Sequence, residues 1–345
     1  MKILIIGAGL SAASLAYFLR HNNSIVVSTM GEPVGGLCSD RFISGQLVSN
    51  YGPHIFHTNS SQLWKFINEF ADWTTYCNQP LLNTGDRFIH LPITMNTFYE
   101  VWGVMTESEV RKYVAKLNRL EGATAREKII SKKLFDLVFR GYTEKQWGCP
   151  LEEISGNILS RIKLRYNFYS DYFFTDYQGL PRNGYSKFIL ELFSAAKATI
   201  TDDITIEKAE DFDLTIICSE LDKVFGYSLG TIPYYCTKFK ETEFNIPAAI
   251  VNNSSKDCSH IRTTRYDLLY KFCSKRKIEI SEYPVQESRE GVPCYPAANL
   301  ALYEKYATLA KQRKFFLCGR LAENRYLDMD TAIENAYKLS KMIQY

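Results

Sequence analysis

The chemistry begins at Gly7-Ala8-Gly9-Leu10-Ser11-Ala12, where small residues stand at a spacing that suits phosphate. Gly7 permits a tight turn, Gly9 lets the backbone approach a pyrophosphate, and Ala12 lets a following helix lie close to the preceding strand. The first turn of that helix, including Ser11 and Ala12, offers N–H groups to the phosphates. A second group is Tyr51-Gly52-Pro53-His54-Ile55-Phe56-His57-Thr58, which holds two of the five histidines. An H-x-x-H spacing can bind a metal, but Gly52 and Pro53 indicate a loop and no acidic ligand stands beside it. A structural or cofactor-facing role for His54 and His57 is therefore preferred, and no metal is expected. The nine cysteines form no C-x-x-C pair and show no regular spacing with histidine. They read as reduced, mostly buried thiols of a cytosolic protein.

The elements around the glycines agree with that reading. Ile3-Leu4-Ile5-Ile6 is a short apolar run of the kind found in buried parallel strands. Ala13 to Leu19 favours helix, and Ser24 to Ser28 reads as a second strand. The G-x-G-x-x-A motif is weak alone and strong in this strand–turn–helix–strand setting. One part is missing: the second strand usually ends on the Asp or Glu that binds a ribose. Ser28 or Thr29 stands there, and Glu32 lies beyond a glycine. A Thr29 hydroxyl can bond a ribose, more weakly than a carboxylate. Gly35-Gly36 lets the backbone pass close to a cofactor, and such a pair is more typical of flavin-binding folds than of NAD dehydrogenases.

Composition sets outer bounds. At 345 residues and 46% hydrophobic, the chain exceeds the roughly 250–300 residues at which single cores stop growing, so more than one domain is expected. Lys+Arg total 41 against 38 Asp+Glu, and the basic residues are scattered, which argues against nucleic acid. No apolar run approaches the roughly 18 residues of a membrane span, so a soluble, cytoplasmic protein is expected. The 23 Tyr and 21 Phe are mostly core, with some left as stacking surfaces for a base or sugar.

Further motifs recur in a fixed order from residue 5 to 330: Leu91-Pro92-Ile93-Thr94-Met95-Asn96-Thr97-Phe98, Gly141-Tyr142-Thr143-Glu144-Lys145-Gln146-Trp147-Gly148, Tyr177-Gln178-Gly179-Leu180-Pro181, Gly319-Arg320-Leu321 and Arg325-Tyr326-Leu327-Asp328-Met329-Asp330. With the histidine loop, they resemble the UDP-galactopyranose mutase family over nearly the whole chain. The resemblance implies an isomerase that contracts the pyranose ring of a UDP-sugar to the furanose through an N5 adduct of reduced FAD. The cofactor carries the covalent chemistry, and the protein orients it and holds the leaving group.

The resemblance also implies roles. Arg161 and Arg262 match the two arginines that hold the departing diphosphate, a task suited to planar bidentate cations. Tyr172, Tyr295 and Tyr326 match tyrosines whose hydroxyls reach the phosphates. Phe139, Tyr142 and Trp147, with Thr143 nearby, match the uracil site, the tryptophan riding on a mobile loop. Asn78 and Asn252 match residues near the sugar. His54, Ile55 and His57 lie in the loop placed against the isoalloxazine ring, and Arg320 matches a flavin-contacting arginine. Asp328 and Met329 open a helix whose N-terminus points at the flavin, with Asp328 also near substrate. Read alone, each of these residues would pass for a solvated charge or a core aromatic.

The expected fold is α/β: an FAD-binding Rossmann-like domain (1–78, 199–230 and 313–345), an inserted helical domain (97–160) and an antiparallel β-sheet domain (79–96, 161–198 and 231–312). A homodimer and an electron donor such as NAD(P)H are expected by the same resemblance. Departures from the family pattern stand at Thr29, Leu37, Tyr235, Thr264-Arg265-Tyr266 and Asn324. Most surround the cofactor or sugar, so a related nucleotide sugar (UDP-N-acetylgalactosamine, UDP-arabinopyranose or dTDP-fucose) is an alternative substrate. Two rivals are a flavin amine oxidase or desaturase on the same fold, and a nucleotide-sugar binding protein without catalysis.

Overall fold

The computed structural model describes residues 1–103, 106–117, 140–147, 164–202, 204–232, 234–255, 257–271, 276–285, 292–296 and 300–344. The chain divides into two compact units, each assembled from separated segments. Met1–Tyr76, Thr175–Thr237 and Glu287–Tyr345 form the first, and Cys77–Phe174 with Lys238–Gln286 the second.

The first unit is built on a parallel sheet in the order Thr199–Thr201, Ser24–Ser28, Lys2–Ile6, Leu214–Ile217, Phe316–Leu317. After the exposed Lys2 its central strand is apolar because both faces are covered; Ile3, Leu4 and Ile5 are wholly buried. The helix Leu10–Leu19 follows, and buried Ala12, Ala13 and Ala16 allow close packing. It lies against the helices Tyr185–Ala195 and Met329–Gln344. A smaller antiparallel sheet joins Phe56–Thr58 and Trp73–Thr75 to either side of Tyr177–Pro181. Residues 175–198 therefore pack with the dinucleotide-type sheet, not with the antiparallel domain to which the sequence reading assigned 161–198. The reason is long-range pairing: the strand Tyr177–Pro181 is paired on both edges there.

The second unit carries a mainly antiparallel sheet. Ile250–Asn253, Arg262–Arg265 and Glu279–Val285 pair in succession, while Leu81–Asn83 runs parallel to Ile250–Asn253 and pairs with Phe88–His90. Part of its polar interior is satisfied in place: Thr263 Oγ1 lies 2.7 Å from Ser281 Oγ, and the Glu279 carboxylate accepts the N–H groups of Asn245 and Ile246, each at 3.0 Å. The helices Met95–Trp102, Glu107–Leu117 and Gly141–Trp147 belong to this same unit, so the expected helical domain and 238–286 of the expected sheet domain share one compact body, while 231–237 and 287–312, also expected in the sheet domain, fall in the first unit. Reciprocal Thr94–Thr97 bonds cap the first of these helices, and Thr106–Glu109 bonds cap the second. Within the first unit, the strand Val292–Pro296 pairs with the start of Tyr234–Thr242, and Tyr295 stands opposite Tyr235. Among the described residues, no helix is long and apolar enough to cross a membrane.

Candidate functional site

The glycine turn of the first unit has the geometry that its spacing implies. Gly7 holds φ +109° and donates its N–H to the Ser28 carbonyl at 2.8 Å. The next helix begins at Leu10 with Gly9 as N-cap; no side chain caps it, and no acid stands in its first turn. Its leading N–H groups thus meet no competing anion from their own turn. The Gly35-Gly36 pair closes over this turn: Gly35 donates to the Ala8 carbonyl at 2.9 Å and bridges to Gly9. A Cβ on Gly36, at φ +54°, would stand 3.1 Å from the Gly9 Cα, and one on Gly319 would stand 2.7 Å from Ser11 Oγ. Three stretches of the first unit thus converge with side-chain-free backbone, a cradle that fits a dinucleotide cofactor.

Of the two residues considered at the ribose position, Ser28 is fully buried and donates to the Ile204 carbonyl at 2.6 Å. Thr29 is half-buried, and its hydroxyl oxygen accepts the Gly31 N–H at 3.1 Å, which leaves the O–H able to donate. Glu32 is committed elsewhere, in an ion pair with Lys223.

The histidine loop lies beside this frame. His54 Nδ1 is 2.9 Å from the Gly52 carbonyl, to which its N–H donates. Ile55 and Phe56 are buried, and His57 sits half-buried within the strand Phe56–Thr58. No group of three metal-ligating side chains occurs among the described residues. Arg320 donates to the Leu327 carbonyl at 2.8 Å and lies over the Tyr326 ring at 4.2 Å. Its charge also acts on Cys38, whose thiol burial nevertheless pushes up to about 12. Met329 opens the helix Met329–Gln344, and the Asp328 carbonyl accepts the Ala332 N–H. Asn324, at φ +50°, buries both amide atoms without a hydrogen-bond partner among the described residues.

In the second unit, strand register places Arg262 opposite both Asn252 and Glu282. Glu282 holds Arg262 bidentately, at 2.6 Å to Nε and 2.8 Å to Nη2. The arginine side chain is 27% exposed and the glutamate 4%, so this is a largely desolvated pair. Burial works against the charge on Arg262, but Glu282, Tyr142 and Tyr266 outweigh it and hold the guanidinium firmly protonated. Tyr142, on the helix Gly141–Trp147, thereby belongs with Arg262. Glu282 takes two of the five guanidinium N–H donors, and three point elsewhere.

Asn78 and Tyr172 form a second pairing. The Tyr172 N–H donates to the Asn78 carbonyl at 2.7 Å, and its own carbonyl accepts from Arg165 at 3.0 Å. The Tyr172 ring is left exposed. Asn78 and Asn252 each keep a buried amide oxygen with no hydrogen-bond partner among the described residues, and a buried orphan acceptor calls for a ligand or water. Arg161 and Phe139 lie outside the described residues. Thr143 and Trp147 fall on the described backbone of the helix Gly141–Trp147, and Tyr295 on that of the strand Val292–Pro296.

The residue that sequence reasoning missed is Glu282. Nothing in a single strand marks it, because its role appears only once its register against Arg262 is set. Two departures also find a structural place: Arg265 pairs with Asp267 at 3.0 Å, and Tyr266 is fully buried core.

Comparison with known proteins agrees with this geometry. The family model described as UDP-galactopyranose mutase matches residues 137–326, and one described as an NAD(P)-binding Rossmann-like domain matches residues 5–70. The chain is 27% identical to the dTDP-fucopyranose mutase of Escherichia coli, covering 99% of this chain and 98% of that one. It is 28% identical to the UDP-galactopyranose mutase of Mycoplasma genitalium, covering 99% and 94%. Among solved structures it resembles a reduced UDP-galactopyranose mutase, with TM-score 0.71 at 14% identity over 99% of this chain and 93% of that one.

Proposed function

The chain belongs to the UDP-galactopyranose mutase family, and on that premise we propose that it is an FAD-dependent isomerase that contracts the pyranose ring of a UDP-sugar to the furanose, active with the flavin reduced. The observation that carries the reading is the state of Asn78 and Asn252. These are the residues expected at the sugar, each has a buried amide oxygen lacking a partner, and Asn252 faces Arg262 across the strands.

The bound reduced flavin supplies the nucleophile for the anomeric carbon. The chain's own residues do the rest. The glycine turn and the uncapped helix at Gly9 hold the pyrophosphate of FAD, and the Thr29 hydroxyl reaches the ribose in place of a carboxylate. His54, Ile55 and His57 line the ring, with Arg320, Asp328 and Met329 on the C-terminal side. Arg262 uses its three donors not engaged by Glu282 to hold the departing diphosphate, with Arg161 as the second arginine and the hydroxyls of Tyr172, Tyr295 and Tyr326 as neutral donors. Glu282 fixes the guanidinium plane before substrate arrives, so little ordering remains at that moment. Tyr142, Phe139 and Trp147, with Thr143, receive the base. Turnover of this kind needs an electron donor such as NAD(P)H to keep the flavin reduced. A homodimer in the cytoplasm is part of the same proposal.

A second reading concerns the nucleotide sugar. The Escherichia coli relative, named a dTDP-fucopyranose mutase, is as similar to this chain as the mutase of Mycoplasma genitalium. Asn324, a departure from the family pattern, has an unpartnered buried amide. Both favour a related sugar such as dTDP-fucose, UDP-N-acetylgalactosamine or UDP-arabinopyranose. The test is to record the visible spectrum of the purified protein and incubate it with each nucleotide sugar under dithionite. Flavin absorbance with conversion of UDP-galactopyranose to the furanose supports the main reading. Flavin with conversion of another sugar alone supports the second, and nucleotide binding without flavin overturns both.

A further inference from the structure

The second unit contains a cluster that the mutase chemistry leaves unused. Cys258 Sγ lies 2.9 Å from Nδ1 of His260. The His260 ring is 7% exposed, stacks on Phe244 with centroids 4.8 Å apart and 12° between planes, and is flanked by Tyr283. At its other nitrogen, Nε2, sits the side-chain amide of the buried Asn253. Lys145, from the helix Gly141–Trp147, donates to the Ser255 carbonyl at 2.6 Å and reaches toward that of Asn253 at 3.4 Å. Its ammonium acts on both Cys258 and His260. The neighbouring Asp257 is exposed and holds the Ser255 hydroxyl through its N–H at 3.3 Å.

The sulfur is nearer Nδ1 than Nε2, which lies 3.4 Å away, and a thiol beside an imidazole whose other nitrogen is held by an amide has the parts of an activated sulfur nucleophile. Asn253 Nδ2 lies at Nε2 while its Oδ1 is buried without a partner among the described residues; turned end for end, which the like shape of the two amide ends allows, Oδ1 accepts the Nε2–H. Nδ1 is then the basic nitrogen and faces the sulfur. Stacking fixes the ring plane, so the base does not swing away. Cys258 is half-buried, not sealed off.

We infer that Cys258 is a modification site: a nucleophilic thiol, activated by His260 and oriented through Asn253, that is oxidised by hydroperoxides. The thiol proton passes to His260 Nδ1, and the thiolate attacks one peroxide oxygen. The S–O bond forms as the O–O bond breaks. Sulfur loses two electrons and the peroxide gains them. The leaving hydroxide takes the proton back from His260, giving a sulfenic acid and water.

Cys77 is the internal standard. It is the more exposed thiol of the same unit, and partial burial and Asp171 push its titration upward. The experiment treats the full-length protein with hydrogen peroxide and follows loss of each free thiol by differential alkylation and peptide mass spectrometry. In the native protein Cys258 is expected to oxidise about tenfold faster than Cys77 or more, and in denaturant the two rates converge, as they do when activation comes from the folded neighbours. His260→Gln is expected to slow Cys258 about tenfold and leave Cys77 unchanged. A native Cys258 that reacts no faster than Cys77 overturns the inference. So does a His260→Gln protein with an unaltered Cys77 rate and an unaltered Cys258 rate. The native comparison requires no variant, so it stands even where His260→Gln does not fold.

Discussion

Two demands meet at Arg262. Its charge has to survive partial burial in a sheet, and the proposed role requires its donors to remain available to a diphosphate. Glu282 meets the first by bidentate pairing and the second by engaging only two of the five donors. A lysine could match the charge but not the planar fork. Arg262→Lys is therefore expected to weaken UDP binding by about 10- to 100-fold, the scale of a lost bidentate charge-assisted contact; calorimetric titration with UDP checks it, and an unchanged Kd would remove Arg262 from the diphosphate site. At Thr29 the hydroxyl already accepts from Gly31, so the ribose contact rests on one O–H. Thr29→Glu is expected to tighten FAD by about tenfold, because a carboxylate forms stronger bonds than a neutral hydroxyl. Fluorescence titration of the apoprotein with FAD measures the change, and weaker binding would show that the ribose lies elsewhere.

At the scale of elements, the paired strands Arg262–Arg265 and Glu279–Val285 determine what each side chain meets. Because Glu282 is 4% exposed, Glu282→Ala leaves a guanidinium largely buried and uncompensated, which is expected to cost about 3–5 kcal/mol of stability. Glu282→Gln keeps the hydrogen-bonding shape and is expected to cost less. Urea unfolding of both variants tests the order. The loop between Ile250–Asn253 and Arg262–Arg265 carries His260, whose titration is moved downward by burial and then by Lys145. The folded ring binds its proton less readily than the unfolded ring, which takes one up below about pH 6.5. The unfolded state therefore binds more protons, and His260 makes stability fall as pH drops through that value. His260→Gln is expected to flatten the fall between pH 7.5 and 5. Equal slopes of urea midpoint against pH in both proteins would contradict it.

At the scale of the whole molecule, the chain visits the first unit three times and the second twice. Neither unit is a continuous stretch, so neither can form from a single run of residues. The strand Leu81–Asn83, for instance, has Ile250–Asn253 as a sheet partner well over a hundred residues away. A fragment spanning 77–174 is expected to lack cooperative unfolding and a fixed near-ultraviolet circular dichroism signal, since it keeps only two of the strands of its sheet. A cooperative urea transition in that fragment would show that its helices support themselves.

What could be read from the sequence was local. The glycine turn, its flanking strands and the helix opening at Met329 involve residues close together in the chain, so spacing and residue type define them. Spacing leaves Ser28 and Thr29 as candidates for the ribose, and the fold engages Ser28 inward with the Ile204 carbonyl, which leaves Thr29 as the proposed contact. The motif islands identified the family, but not the packing of its parts. Residues 177–195 joined the first unit because strand pairing and helix packing, both long-range, drew them there. The same holds for side-chain partners. Glu282 meets Arg262 through strand register, and Lys145 reaches the Asn253–Ser255 turn from more than a hundred residues away. Sequence by itself pointed to the residues proposed for phosphate and flavin chemistry, since backbone torsion and residue type are properties of short segments. Only tertiary structure decided which charges are paired, which amides are left without partners and which thiol gains a base, because those depend on desolvation and on distances between segments far apart in the chain.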